Sequence, residues 1–418
     1  MLSDLYDNPI STDSPEAEAA YVLGMERLLA AQPGIVAAFE AAVAADPGFA
    51  LGHAGLARAR QYDGDMPGAR AAMAEATALG DRLGPREAGH LHAMGLLIAQ
   101  SPQALAAVRA HVEEYPRDAL VAQSATTVFG LIGFSGKPGR EAETLAFNAH
   151  LLRHYGEDDW WVTSQYAFAL CETGRLDLAE DYIDRSLVLK PDNAHGAHVR
   201  AHVSYEMGAA EAGRAYLDRW LEGYDRSGFL HGHLSWHAAL WALEADDLET
   251  VWRLVDAAVT PPGATHSLPI NVLTDTVSIL HRAALKGVEV PPDRWAAISA
   301  YATRCFPKTG NAFIDIHAAL AHAMAGDTDA LRRIVEAPAG PAADMVPDLA
   351  CASRHMAAQN WSAAAAHILK VVAQSERLGG SRAQRDLIEH SLAACLIRQD
   401  RAEEAQALLA ARRPVLLH

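Results

Sequence analysis

Apolar residues recur along this chain at helical spacing in short blocks, and each block ends at a glycine, an aspartate or a proline. Ile35, Phe39, Ala42 and Val43 fall on one face of a helix over 35 to 45, with Gln32-Pro33-Gly34 breaking the chain before it and Pro47-Gly48 after it. Upstream, Ser14-Pro15 predicts a helix from 15 to about 31, with Ser14 as its cap and proline in its first turn. Further helices are expected over 85–100, 102–115 and 118–132, and loops over 133–139, 260–270 and 338–341, where glycine and proline cluster.

The blocks share offsets. Gly64 has Ala57 seven residues before it, Ala69 five after and Ala76 twelve after; Gly174 has Ala167 and Ala179 at the matching places and Pro191 seventeen after. Gly174 to Gly208 and Gly326 to Asn360 are both 34 residues. Ala393, Asp400 and Ala405 repeat the offsets, followed by Pro414, and Ala239, Asp246 and Val251 give a looser copy. Small residues where paired helices cross, a glycine that relieves the tight turn and a proline that stops the second helix describe the tetratricopeptide repeat. The expectation is an all-α, right-handed superhelical solenoid of tetratricopeptide-type helix-turn-helix repeats. It reads as one continuous helical-repeat domain over 1–418, with poorly regular repeats at 81–140 and 260–310.

Composition agrees with helices: half of the 418 residues are apolar and alanine dominates. A net charge of −17, with no long basic run, argues against nucleic acid as a partner. Four scattered cysteines without a CxxC pair read as packed thiols in a reducing compartment. No leader pattern opens the chain and no apolar run is long enough to span a bilayer, so a cytoplasmic protein without a membrane role is expected.

Chemistry concentrates in one stretch. Six of the 20 histidines lie between 193 and 237: His195, His198, His202, His231, His233 and His237. In a tetratricopeptide unit the first helix lines the concave surface, and its positions 2, 5, 9, 12 and 13 face inward. Counted with Gly208 as position 15, these are His195, His198, His202, Tyr205 and Glu206. The preceding unit places Trp161, Ser164, Phe168, Cys171 and Glu172 there, and the next one His233, Trp236 and Glu244, with His237 beside them. Asp275, Asp315 and His317 fall on first helices of later units and could reach the same lumen if the superhelix closes tightly.

The chain resembles the tetratricopeptide-repeat protein 38 family along most of its length. The resemblance is carried by Pro9-Ile10-Ser11-Thr12, by GAHVRAHVSYEM at 196–207, by Trp236-His237 in HGHLSWHAALW, by Leu273-Thr274-Asp275 before Leu280-His281-Arg282, and by Asn311-Ala312-Phe313-Ile314-Asp315-Ile316-His317. The family's Phe-Asn-Asp-x-His order is altered here, with Asn311 standing earlier. The resemblance implies the fold and a set of matching positions, and supplies no mechanism.

Four readings follow for the inward residues. One is a groove for an extended peptide or protein. A second is a lumen for a small molecule, walled by Trp161, Phe168, Tyr205 and Trp236. A third is an enzyme with His202 or His237 as general base, oriented by Asp275 or Asp315. The fourth is a divalent metal at His198, His202, His233 and His237, since an i, i+4 histidine pair can chelate, although Val199 stands where a zincin would carry glutamate. No cofactor is otherwise expected. The acidic pairs Asp158-Asp159 and Asp246-Asp247 read as helix caps.

Overall fold

The computed structural model describes residues 2–80 and 83–412. Among them are 22 α-helices and no strand beyond one isolated bridge, Ser3 with Pro9. Asp81, Arg82 and the proposed stop at Pro414 lie outside the described residues. The described residues form two compact units, one from 2–80, 83–132, 142–200 and 219–231, the other from 133–141, 201–218 and 232–412. The division falls inside one helix, Ala194–Glu206.

In the first unit, consecutive helices pair as hairpins: Pro15–Leu29 with Ile35–Ala45, Ala50–Tyr62 with Met66–Ala78, Pro85–Ile98 with Ala104–Glu114, and Trp160–Glu172 with Leu176–Leu189. The alanines expected at close crossings, Ala57, Ala69, Ala76, Ala167 and Ala179, are all fully buried. In the second unit the pairs run on through Pro292–Cys305, Ala312–Ala325, Val346–Ala357, Trp361–Val371, Arg382–Ile397 and Ala402–Arg412. There, Pro269–Leu285 also packs on Arg382–Ile397, about a hundred residues away in sequence.

The turns explain the period. Gly64, Gly174, Gly208 and Gly326 have φ of 71 to 76°, in the left-handed region that glycine enters without cost. A capping side chain follows at once in several units: Asp65 accepts from the Gly68 amide, Asp327 from Ala330 and Asn360 from Ala363. Asp246 and Asp400 hold the left-handed place with a side chain, at φ 59° and 62°. The unit at Asn360 needs a correction of register. Its left-handed residue is Gln359, at φ 56°, which makes Asn360 the cap and the spacing from Gly326 one residue short of 34.

Ser14, Asp159 and Asp247 cap helices as expected. The helix predicted over 118–132 stops at Thr126. The Asn148 amide donates to the Thr126 carbonyl and the Leu131 amide takes the Ser124 carbonyl, so the backbone groups of a longer helix find other partners. Asp118 does more than open that helix. It is fully buried and receives His90 Nδ1 at 3.0 Å, His111 Nε2 at 2.9 Å and Arg86 Nη1 at 3.0 Å. Burial pushes its carboxyl up, but His90 and His111 outweigh that and hold it far below the usual carboxylate range.

Candidate functional site

Helix Ala194–Glu206 carries three histidines together with Arg200, Ser204, Tyr205 and Glu206, and it begins where the Ala194 amide donates to the Ala30 carbonyl. His202, on its last turns, is 1 % exposed. Helix His231–Glu244 brings His233 and His237 against it, 4 % and 1 % exposed, and the ligand nitrogens of these three lie within 4.8 Å of one another. The rings of His202 and His237 meet edge to face, with centroids 4.6 Å apart, and those of His233 and His237 do so at 4.9 Å. Trp236 stacks on His233 at 5.2 Å and 14°. Asp275, from helix Pro269–Leu285, accepts a hydrogen bond from His233 Nδ1 at 2.7 Å. His198 stands one turn before His202 on the same helix.

Burial lowers the pKa of His202 well below its ordinary value, with the neighbouring His233 acting in the same direction. His237 is lowered likewise by burial and by His202, His233 and Arg282. Neutral imidazole is the form that accepts a proton or a metal.

One turn beyond the histidines the chemistry changes. The Tyr205 hydroxyl donates to Asp386 Oδ2 at 2.9 Å and accepts from Arg282 Nη1 at 3.2 Å, while Arg282 Nη2 donates to the Ala383 carbonyl at 2.7 Å. Glu206, buried, lies 3.5 Å from Arg382 Nε. Tyr205, Trp241, Arg282, Lys286, Asp386 and His390 line a cavity of about 680 Å³ whose other walls are largely leucine, isoleucine and alanine. Four helices supply them, Ala194–Glu206, His231–Glu244, Pro269–Leu285 and Arg382–Ile397.

The remaining residues named from sequence go elsewhere. Trp161 packs in the first unit against Tyr155 and Tyr6, with centroids 5.4 and 6.1 Å away. His195 meets Phe229 and Phe168 meets His198 in that unit. Asp315 and His317 part company although two residues apart, because that spacing turns a helix by about 200°. Asp315 accepts from the Gly310 amide and faces a hollow with Phe306, His322 and Arg333; burial pushes its carboxyl up to about 6. The His317 Nδ1–H donates to the Phe313 carbonyl, burial lowers it to about 4, and the ring borders a separate small cavity beside Arg385 and Met356. Asn311 caps its helix, accepting from the Phe313 and Ile314 amides.

Arg282, Lys286, Trp241, Asp386 and His390 were not among the residues singled out from sequence. One signal existed: the inward count, taken from Asp400 as position 15, puts His390 at position 5. Arg282 was in view only as part of Leu280-His281-Arg282.

Fold and site together define an all-α helical-repeat protein of tetratricopeptide type. No family model matches the chain. Among solved structures it is similar to the human IFIT1 dimer with m7Gppp-AAAA, at 14 % identity over 100 % of this chain and 95 % of that one, with a TM-score of 0.47. It is also similar to yeast Tom70, at 14 % identity over 96 % and 84 % of the two chains, with a TM-score of 0.34. Among the described residues no helix is long and apolar enough to cross a membrane.

Proposed function

We propose that this chain is a tetratricopeptide-type binding protein whose ligand is a small molecule with an apolar body, seated in the cavity lined by Tyr205, Trp241, Arg282, Lys286, Asp386 and His390. The observation that carries this reading is the convergence of those side chains, from four helices, on a volume of about 680 Å³, which is the size and make-up of a small-molecule pocket. Peptide recognition in the same place is the nearest rival and needs a longer open groove. The net charge of −17 supports a partner other than nucleic acid. A cytoplasmic location, a single repeat domain over 1–418 and membership of the tetratricopeptide-repeat protein 38 family belong to the same proposal; the four scattered cysteines without a CxxC pair support the first, and the quoted sequence segments the last.

An enzyme acting on a small molecule is the second reading, favoured by the His233–Asp275 pair, which has the geometry of an oriented imidazole. Recognition ranks ahead because neither residue of that pair is among those lining the cavity.

The test is a thermal-shift screen of small metabolites and short peptides against the whole chain and against Leu285→Trp, which narrows the cavity. A compound that raises the melting temperature of the wild type and not of the variant supports the reading. Compounds that stabilise both equally, or peptides alone as hits, would overturn it.

A further inference from the structure

We propose that His202, His233 and His237 form a structural site for a divalent transition metal, zinc above all. Three observations of different kinds lead there.

The first is the donor set. Borderline metals such as zinc, copper and nickel take imidazole, whereas magnesium and calcium take oxygen. Here imidazoles alone converge, from two helices, with their nitrogens inside 4.8 Å. Metal–nitrogen bonds of about 2.0–2.1 Å place ligand nitrogens about 3.4 Å apart around a tetrahedral ion, so nitrogens inside 4.8 Å need to close by no more than about 1.4 Å. Small side-chain rotations therefore close the set. His233 and His237 are spaced i, i+4 on one helix, the spacing at which two histidines of a helix reach the same ion.

The second is the support behind the donors. Asp275 accepts from His233 Nδ1 at 2.7 Å, so that nitrogen carries the proton and Nε2 carries the lone pair. A carboxylate behind a ligating histidine is the usual way a metal site orients its ligand and raises its basicity. Asp275 also brings a buried negative charge beside the ion, which a dication surrounded by neutral imidazoles requires.

The third is enclosure. His202, His233, His237, Trp236 and Asp275 are all at most 4 % exposed. Three imidazoles in so buried a place, backed by Asp275, leave no open approach for a substrate, which favours a structural over a catalytic ion. The ion would tie helix Ala194–Glu206 to helix His231–Glu244. It stands apart from the ligand proposed for the cavity, whose lining residues do not include these imidazoles.

The experiment uses the full chain purified without chelator, stripped, incubated with zinc or cobalt and desalted. Elemental analysis is expected to find about one metal per chain, cobalt to give the visible ligand-field absorption of a tetrahedral site, and zinc to raise the melting temperature. His237→Gln, which keeps size and polarity, is expected to lose both the bound metal and the thermal shift. Retention below about a tenth of an equivalent by the wild type, or equal retention by His237→Gln, would overturn the proposal. If the variant does not fold, the cobalt spectrum of the wild type decides alone: a tetrahedral band supports the site, and its absence rejects it.

Discussion

The hydroxyl of Tyr205 donates to Asp386 across 181 positions of sequence, at 2.9 Å, and the same oxygen accepts from Arg282. This links a central helix of the repeat series to one near its end, and the largest of the cavities described lies at the junction. Tyr205→Phe removes the bridge and leaves Asp386 and Arg282 each one hydrogen bond short. The loss expected is about 1–2 kcal/mol of stability, read as a lower urea midpoint, together with weaker binding of any ligand found for the cavity. An unchanged midpoint would mean that solvent replaces the bridge.

Asp275→Asn keeps the shape of the residue behind His233 and removes its charge. Metal affinity, measured by competition with a chromophoric chelator, is expected to fall about 10- to 100-fold. A packing role for Asp275 would instead lower stability in the metal-free protein and leave the affinity ratio alone.

Acid should destabilise the fold before the carboxylates titrate. Burial lowers His195 and His317 to about 4 and His281 to about 3, with His202 and His237 also well below their ordinary value. In the unfolded chain these groups take up protons as pH falls through about 6.5, and in the fold they do not. Stability is therefore full above about pH 6.5 and is lost as pH falls from there toward 4, each group steepening the loss by up to about 1.4 kcal/mol per pH unit. Asp315, raised to about 6, works the other way, since the fold protonates it first. Five histidines against that carboxyl leave a net fall. Urea midpoints should hold between about pH 7.5 and 6.5 and fall from there to about 5; a flat or rising curve below about 6.5 would contradict the burial of these rings.

In the first unit, Asp118 is the shared partner of His90, His111 and Arg86. Asp118→Ala leaves two buried imidazoles and the half-buried Arg86 without it, at an expected cost of about 3 kcal/mol. The same change should leave metal retention per folded chain unaltered.

Gln359 carries a side chain at φ 56° where the units at Gly64, Gly174, Gly208 and Gly326 carry glycine. Gln359→Gly is expected to stabilise the protein by about 1 kcal/mol, seen as a higher melting temperature. A loss would argue against the register in which Asn360 is the cap.

Hairpin period, helix caps and the histidine face were legible in the sequence because they depend on local spacing. Glycine or aspartate at the turn and alanine at the crossing are demanded by backbone geometry within one unit, and an i, i+4 pair shares a face wherever its helix is placed. What escaped depends on which distant helices meet. Nothing near Tyr205 announces Asp386, and nothing near Asp118 announces His90. The parting of Asp315 and His317 followed from helix geometry, yet the expectation of a shared lumen passed over it. The slip from Asn360 to Gln359 arose because asparagine suits both the left-handed turn and the cap, and spacing alone does not choose between them.

X-ray absorption at the zinc edge of the loaded, desalted protein tests the histidine centre most directly. A shell of imidazole nitrogens at about 2.0–2.1 Å, with the outer-shell scattering of histidine rings, is the expected result. A shell dominated by oxygen, or zinc that does not survive desalting, would contradict it.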